Sequence, residues 1–258
     1  MKYEAVIFDL GSTLINYENH SWDELGRMGC ANAAPLLRDI SNVEISPELL
    51  WSDFHDAIDQ MFINHTADLA EIDLYEVTSL ILKKLGINVI DGIAGRFIAA
   101  YYQPIAEQCS LLPGAQEILK KIKDVGLKIG LISNTIFPAD FHRAEMRKFG
   151  IHSYFDFTIF SSEFKFRKPK KEIFLRALNL ADSRPETAIF VGDRLVEDIG
   201  GPQAVGIKAI LKVVEDRDYS APITPFKTIS ELSELEKIIF ADVGNDVIYR
   251  TMNIETKD

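Results

Sequence analysis

Cysteine is nearly absent from this 258-residue chain: Cys30 and Cys109 are the only two, far apart in sequence. That argues against a secreted disulfide framework. Long apolar stretches are missing too. No uncharged apolar run approaches the roughly 18 residues that a membrane-spanning helix needs. The opening residues, MKYEAVIFDLGSTL, lack a long apolar core followed by a small-residue cleavage site. The expectation is therefore a cytoplasmic protein with no membrane partner. Basic charge is in short supply, with 28 Lys and Arg against 39 Asp and Glu and a formal net charge of −11. Non-specific binding to nucleic acid or anionic lipid needs the opposite balance. Histidine is sparse, and no pair among His20, His55, His65, His142 and His152 has a zinc-site spacing such as H-E-x-x-H. No internal repeat or low-complexity tract occurs, and no feature sets an oligomeric state.

What the chain does contain is an ordinary globular composition, 47% hydrophobic and 26% charged. A chain of this length can bury a sizeable core unaided. Ala5-Val6-Ile7-Phe8 is a continuous apolar run of β-formers ending at Asp9, as expected of a strand buried on both faces. Further strands are predicted over 127–132, 155–160, 188–191 and 207–213. Between them lie a helix opened by Pro113-Gly114 and stopped at Gly126, and another over 172–180. Alternating strands and helices predict an α/β fold: a doubly wound parallel sheet with helices on both faces. Residues 16–105 differ. Helical periodicity dominates there, with Leu49, Trp51, Phe54, Ile58, Met61 and Phe62 on one stripe and Val77, Leu80, Ile81 and Leu85 on another. This segment holds 14 acidic and 5 basic side chains, so it carries −9 of the net charge, as the solvated outer face of a helical bundle would. The expected layout is a Rossmann-like core over 1–15 and 106–245, a helical domain over 16–105, and a frayed polar tail over 246–258.

Polar residues fall just beyond the C-terminal ends of the predicted strands: Asp9, Ser133, Lys168 and Asp193. In an open α/β sheet that edge is where ligands bind. A lysine and a hydroxyl can hold a phosphoryl group, carboxylates can hold Mg²⁺, and one carboxylate can attack phosphorus. Any one of these alone reads as a helix cap; the ordered set does not. The set resembles the four motifs of the haloacid dehalogenase (HAD) superfamily of phosphohydrolases. The first is Phe8-Asp9-Leu10-Gly11-Ser12-Thr13-Leu14 and the second Leu131-Ile132-Ser133-Asn134. The third is Arg167-Lys168-Pro169 with Ile173-Phe174, and the fourth runs from Val191-Gly192-Asp193 through Glu197-Asp198-Ile199. The resemblance covers most of the chain and implies a HAD core whose helical cap is inserted after the first motif.

By that resemblance Asp9 is the nucleophile, and Ser133 with Asn134 and its neighbouring backbone binds the phosphoryl group. Lys168 neutralises Asp9 and phosphate. Asp9, Asp193, Asp198 and the Gly11 carbonyl make a Mg²⁺ site. The substrate implied is a small phosphorylated metabolite. One departure matters, because family phosphatases usually carry an acid–base Asp where this chain has Gly11. Ser12, His20, Asp23 or water are the candidate substitutes. Three other readings follow from the same motifs. A 2-haloacid dehalogenase needs no metal and is not expected to keep both Asp193 and Asp198. A phosphonoacetaldehyde hydrolase needs a cap lysine, yet no lysine occurs between Lys2 and Lys83. A catalytically weak binding protein fits Gly11 but not the intact Asp9, Ser133, Lys168 and Asp193.

Overall fold

Strand β1 (Ala5–Phe8) is buried at all of its positions, and its alternate side chains enter two different cores. Val6 and Phe8 pack with Leu119, Ile122 and Met146 on one face of the sheet, while Ala5 and Ile7 pack with Ile173, Phe174 and Ala177 on the other. A strand covered on both faces reads as a continuous apolar run, as β1 does. The computed structural model describes residues 3–41, 43–64, 68–90 and 92–240. The expected frayed tail, His65 and the Phe62 side chain lie outside the described residues.

After β1 comes a two-residue strand, β2 (Ile15–Asn16), paired antiparallel with β3 (Ser110–Leu111). Among the described residues four helices lie between them: α1 (Trp22–Ser41), α2 (Pro47–Asn64), α3 (Leu74–Lys84) and α4 (Ile93–Gln108). They enclose a core of their own that includes Leu37, Leu50, Phe54, Val77, Ile81 and Phe97. Helix α3 starts at Asp73, whose carboxylate accepts from the backbone N–H groups of Tyr75 and Glu76, the arrangement expected of an N-cap. Helices α1 and α4 meet at Gly29, where a Cβ would lie 2.6 Å from the Tyr101 carbonyl oxygen. The two stripes are only partly as expected. Leu49 and Leu80 are exposed, and Leu50 takes the buried position beside Phe54. Both exposed leucines sit one residue away from the face that meets the neighbouring helices.

The chain then alternates. Helix α5 (Ala115–Asp124) leads to β4 (Lys128–Ser133), α6 (Ala139–Lys148) to β5 (Phe157–Phe160), and α7 (Ser161–Phe164) and α8 (Lys171–Ala181) to β6 (Ala188–Gly192). β7 (Lys208–Lys212) and β8 (Lys227–Ile229) follow. All six strands of the large sheet run parallel, in the order β5-β4-β1-β6-β7-β8. β8, absent from the sequence expectation, is a short edge strand with two exposed residues. The chain winds outward from β1 through β4 to β5 on one side, and from β6 through β7 to β8 on the other. The order therefore reverses between β1 and β6, the switch point at which such sheets bind ligands. Asp9 and Asp193 flank it. Among the described residues no helix is long and apolar enough to cross a membrane.

Candidate active site

Asp9 follows β1 directly, and its N–H donates to the Val191 carbonyl at 2.8 Å, tying it to β6. The chain turns at Ser12, which has a φ of 55°, and Thr13 reaches across to donate from Oγ1 to Asp193 Oδ1 at 3.3 Å. β6 ends at Gly192, where a Cβ would come within 2.5 Å of the Asp198 side chain, so only glycine lets that carboxylate in. A π-helical turn, Leu195–Gly200, carries Asp198 back under the strand end. Such turns recur at functional sites. Asp198 Oδ2 accepts from the N–H groups of Asp193 and Arg194 at 3.2 and 3.0 Å.

Lys168 bridges the cluster, donating from Nζ to Asp9 Oδ1 and Asp198 Oδ1, each at 2.6 Å. Asn134 fixes the backbone that carries it. Its Oδ1 accepts from the Lys168 N–H at 2.7 Å and its Nδ2 donates to the Lys168 carbonyl at 3.0 Å. Burial acts to lower the Lys168 pKa, but the carboxylates of Asp198 and Asp9 outweigh it and hold the amine above its ordinary value. Burial pushes Asp9 up to about 6, against the pull of Lys168 and with the help of Asp198.

The shift has a sign that stability measurements can check. In the metal-free protein at pH between about 4 and 6, folded Asp9 holds a proton that the unfolded chain has released. Stability from this group should be present below that window and fall as pH rises through about 6. Denaturant unfolding at stepped pH should show the decline, and Asp9→Asn should remove it. An unchanged slope in that variant would assign the titration to another group.

Asp9, Gly11, Ser133, Asn134, Lys168 and Asp198 line a cavity of about 460 Å³. Carboxylate oxygens of Asp9, Asp193 and Asp198, all buried, lie within 4.8 Å of one another. Three hard anionic donors that close suit Mg²⁺. His20 and Asp23, suggested as substitutes for an acid at Gly11, are both exposed, and His20 pairs with Glu24 at 3.9 Å. Ser12 does line the cavity.

Several groups at the site carried no sequence signal. Arg217, in the loop after β7, is an ion-pair partner of Asp193 and donates from Nη2 to both oxygens of Glu18 at 2.8 Å. Tyr17, Tyr102, Thr135 and His142 face the cavity. A pair spaced as His142 and Glu145, three apart on the first helix after the second motif, is the pattern that could have drawn attention.

Comparison with known proteins gives consistent results. A family model described as haloacid dehalogenase-like hydrolase matches residues 3–206. A pyrimidine 5′-nucleotidase, YjjG of Escherichia coli, is 27% identical over 93% of this chain and 99% of its own length. A glyceraldehyde 3-phosphate phosphatase of Methanopyrus kandleri is 23% identical over 80% of this chain and 82% of its own. Among solved structures, a 2-haloacid dehalogenase from Pseudomonas syringae pv. Tomato superposes with a TM-score of 0.69. The two are 21% identical, over 92% of this chain and 98% of the other. The last of these speaks for the fold alone.

Proposed function

Since the chain belongs to the haloacid dehalogenase-like hydrolases, we propose that it is a Mg²⁺-dependent phosphatase of a small phosphorylated metabolite, working through an aspartyl phosphate on Asp9. The observation that carries this reading is the convergence of Asp9, Lys168, Asp193 and Asp198 at the sheet's switch point. Three buried carboxylates with a shared lysine suit an anionic substrate only if further positive charge is supplied.

Asp9 attacks phosphorus, the bond to the leaving oxygen breaks, and the phosphoryl group passes to the carboxylate. Lys168 keeps Asp9 ionised and offsets the charge of the incoming phosphate, since two anions cannot meet in a desolvated site without a cation. The Ser133 hydroxyl and the backbone beside Asn134 orient the phosphoryl oxygens. Water then attacks the aspartyl phosphate, releasing phosphate and restoring Asp9. Asp9, Asp193, Asp198 and the Gly11 carbonyl would hold Mg²⁺, which supplies Lewis-acid neutralisation of phosphoryl oxygens. Residues 16–105 act as a cap that shields the reaction from bulk water and selects the leaving group. Tyr17, Glu18, Trp22 and Tyr102 bring that segment into the cavity wall.

The test is phosphate release across a panel of metabolite, aryl and acyl phosphates with Mg²⁺. EDTA should silence the enzyme, and Asp193→Asn should raise the Mg²⁺ concentration needed for half-maximal rate by about tenfold or more, since one anionic ligand is lost from a hard-cation site. Full turnover in EDTA, with halide release from 2-haloacids, would overturn the phosphatase reading.

A further inference from the structure

Next to the carboxylate cluster, the same cavity carries a second set of polar groups that the reaction above does not use. Thr135 stands two residues beyond Ser133, and its Oγ1 lies 2.7 Å from His142 Nε2. The other ring nitrogen, Nδ1, is 3.2 Å from Glu145 Oε2. Hydroxyl, imidazole and carboxylate thus stand in line. Two tyrosines from the ends of the helical segment complete the set: Tyr17 donates to Glu145 Oε2 at 2.6 Å and Tyr102 to Oε1 at 2.7 Å. His142, Glu145, Tyr17 and Tyr102 are all buried.

The neighbours fix the state of this line. Burial pushes the Glu145 carboxyl up, but hydrogen bonds from His142, Tyr17 and Tyr102 outweigh it and leave its pKa below the ordinary value, so it is an anion. Burial and the Glu145 charge hold both tyrosines well above theirs, so they keep their protons. Those protons point at Glu145. Nδ1, which also lies 3.3 and 3.2 Å from the two hydroxyl oxygens, is surrounded by acceptors and must carry hydrogen itself. Nε2 is therefore the atom left to exchange a proton, and its partner is Thr135. The Thr135 Oγ1 also accepts from the Phe137 N–H at 3.1 Å, and both Thr135 and His142 line the cavity shared with Asp9.

We propose that Thr135, His142 and Glu145 form the proton relay that replaces the acid–base carboxylate absent at Gly11. The inference rests on the phosphatase reading. The cycle starts with His142 protonated on both ring nitrogens, beside the Glu145 anion. As the bond from phosphorus to the leaving oxygen breaks, the Thr135 hydroxyl gives its proton to that oxygen and takes one from His142 Nε2. In the second half, attacking water gives a proton to Thr135, whose own returns to Nε2. The cycle consumes one water and leaves His142 as it began. Thr135 is the catalytic residue, while His142 and Glu145 supply and orient through it. A hydroxyl poised on an imidazole that a carboxylate orients is a recurrent device for moving protons.

Leaving groups discriminate. A departing alkoxide needs a proton, whereas an acyl phosphate or p-nitrophenyl phosphate needs little help. Thr135→Val and His142→Gln should lower kcat/KM for alkyl phosphates by about 10²-fold, the lower end of the general acid–base range. Loss of kcat/KM on acetyl phosphate or p-nitrophenyl phosphate, which reports the first half and not the shared hydrolysis of the aspartyl phosphate, should stay within about threefold, well below that range. Thr135→Ser, which keeps the hydroxyl, should restore the alkyl rate. So should Gly11→Asp added to Thr135→Val, because a Cβ at Gly11 meets only ordinary contact, 3.7 Å from Tyr17. Equal loss of kcat/KM on every substrate, or no loss on alkyl phosphates, would overturn the relay. If His142→Gln melts early, Thr135→Val decides the matter alone. A wild-type enzyme that releases no phosphate from any substrate would sink the phosphatase reading and the relay with it. A wild type that turns over, with variants losing evenly, would remove the relay only.

Discussion

Replacing Asp9 by Asn should abolish phosphate release, with residual turnover below about one part in a thousand, while the protein melts at or above the wild-type temperature. The first half is chemical: an amide cannot attack phosphorus, and the loss should be at least as large as a mid-range acid–base contribution. The second half follows from the environment of Asp9. Burial pushes its pKa up to about 6, which means that the ionised form is less favourable in the fold than in water. Asn has nearly the same shape without that cost. Lys168 does not become an unpaired buried charge, because Asp198 Oδ1 still accepts from it at 2.6 Å. Kinetics and a thermal melt on one sample check both halves. Turnover well above the limit would move the nucleophile elsewhere, and a clear drop in melting temperature would mean that the Lys168–Asp9 pair outweighs the desolvation of Asp9.

Lys168→Met should do the opposite, removing activity and stability together. Methionine fits the volume but leaves Asp9 and Asp198 buried side by side with no cation between them. Removing one partner of a buried ion pair costs about 3–5 kcal/mol. For a domain of this size that is roughly 6–20 °C in melting temperature, at 2–4 °C per kcal/mol. The loss should shrink on acidification, as Asp9 takes up a proton and its repulsion with Asp198 disappears. Turnover should fall by about 10²–10³-fold, the cost of removing one preorganised charge from a reacting centre. A variant that melts like the wild type at neutral pH would show that the carboxylates relax into water once the lysine is gone.

The parts of the fold that could be read from the sequence are those whose residues answer to their immediate surroundings. β1, β4 and β6 are covered on both faces, so their apolar runs are unbroken and their ends fall at Asp9, Ser133 and Gly192. β8 leaves no pattern in the sequence because Lys227-Thr228-Ile229 is a short edge strand with one buried residue. β2 and β3, two residues each, have no period to detect. The site divides in the same way. Asp9, Lys168, Asp193 and Asp198 stand in a fixed order beside strand ends and were legible there. His142 and Glu145 sit in a helix whose other residues include Asp140, Arg143, Arg147 and Lys148, and in sequence they read as a solvated face. They are buried by Tyr17 and Tyr102, 125 and 40 residues away from His142 along the chain, and by Phe160, which stacks on the His142 ring. Arg217 depends likewise on a loop's long-range placement.

The Arg217 side chain joins two groups that have nothing to do with each other in sequence. One end meets Asp193 at the base of the carboxylate cluster, and the other holds Glu18 just past β2, where the chain leaves the sheet for the four helices. Whatever draws Arg217 away from Asp193 must also settle the fate of Glu18. Cation binding at the acidic cluster and the attachment of the helical segment would thus be thermodynamically reciprocal. Free energy spent loosening one contact reappears as altered affinity at the other, by the same factor in both directions. Substitutions at Glu18 should therefore change how readily a cation could displace Arg217 from Asp193.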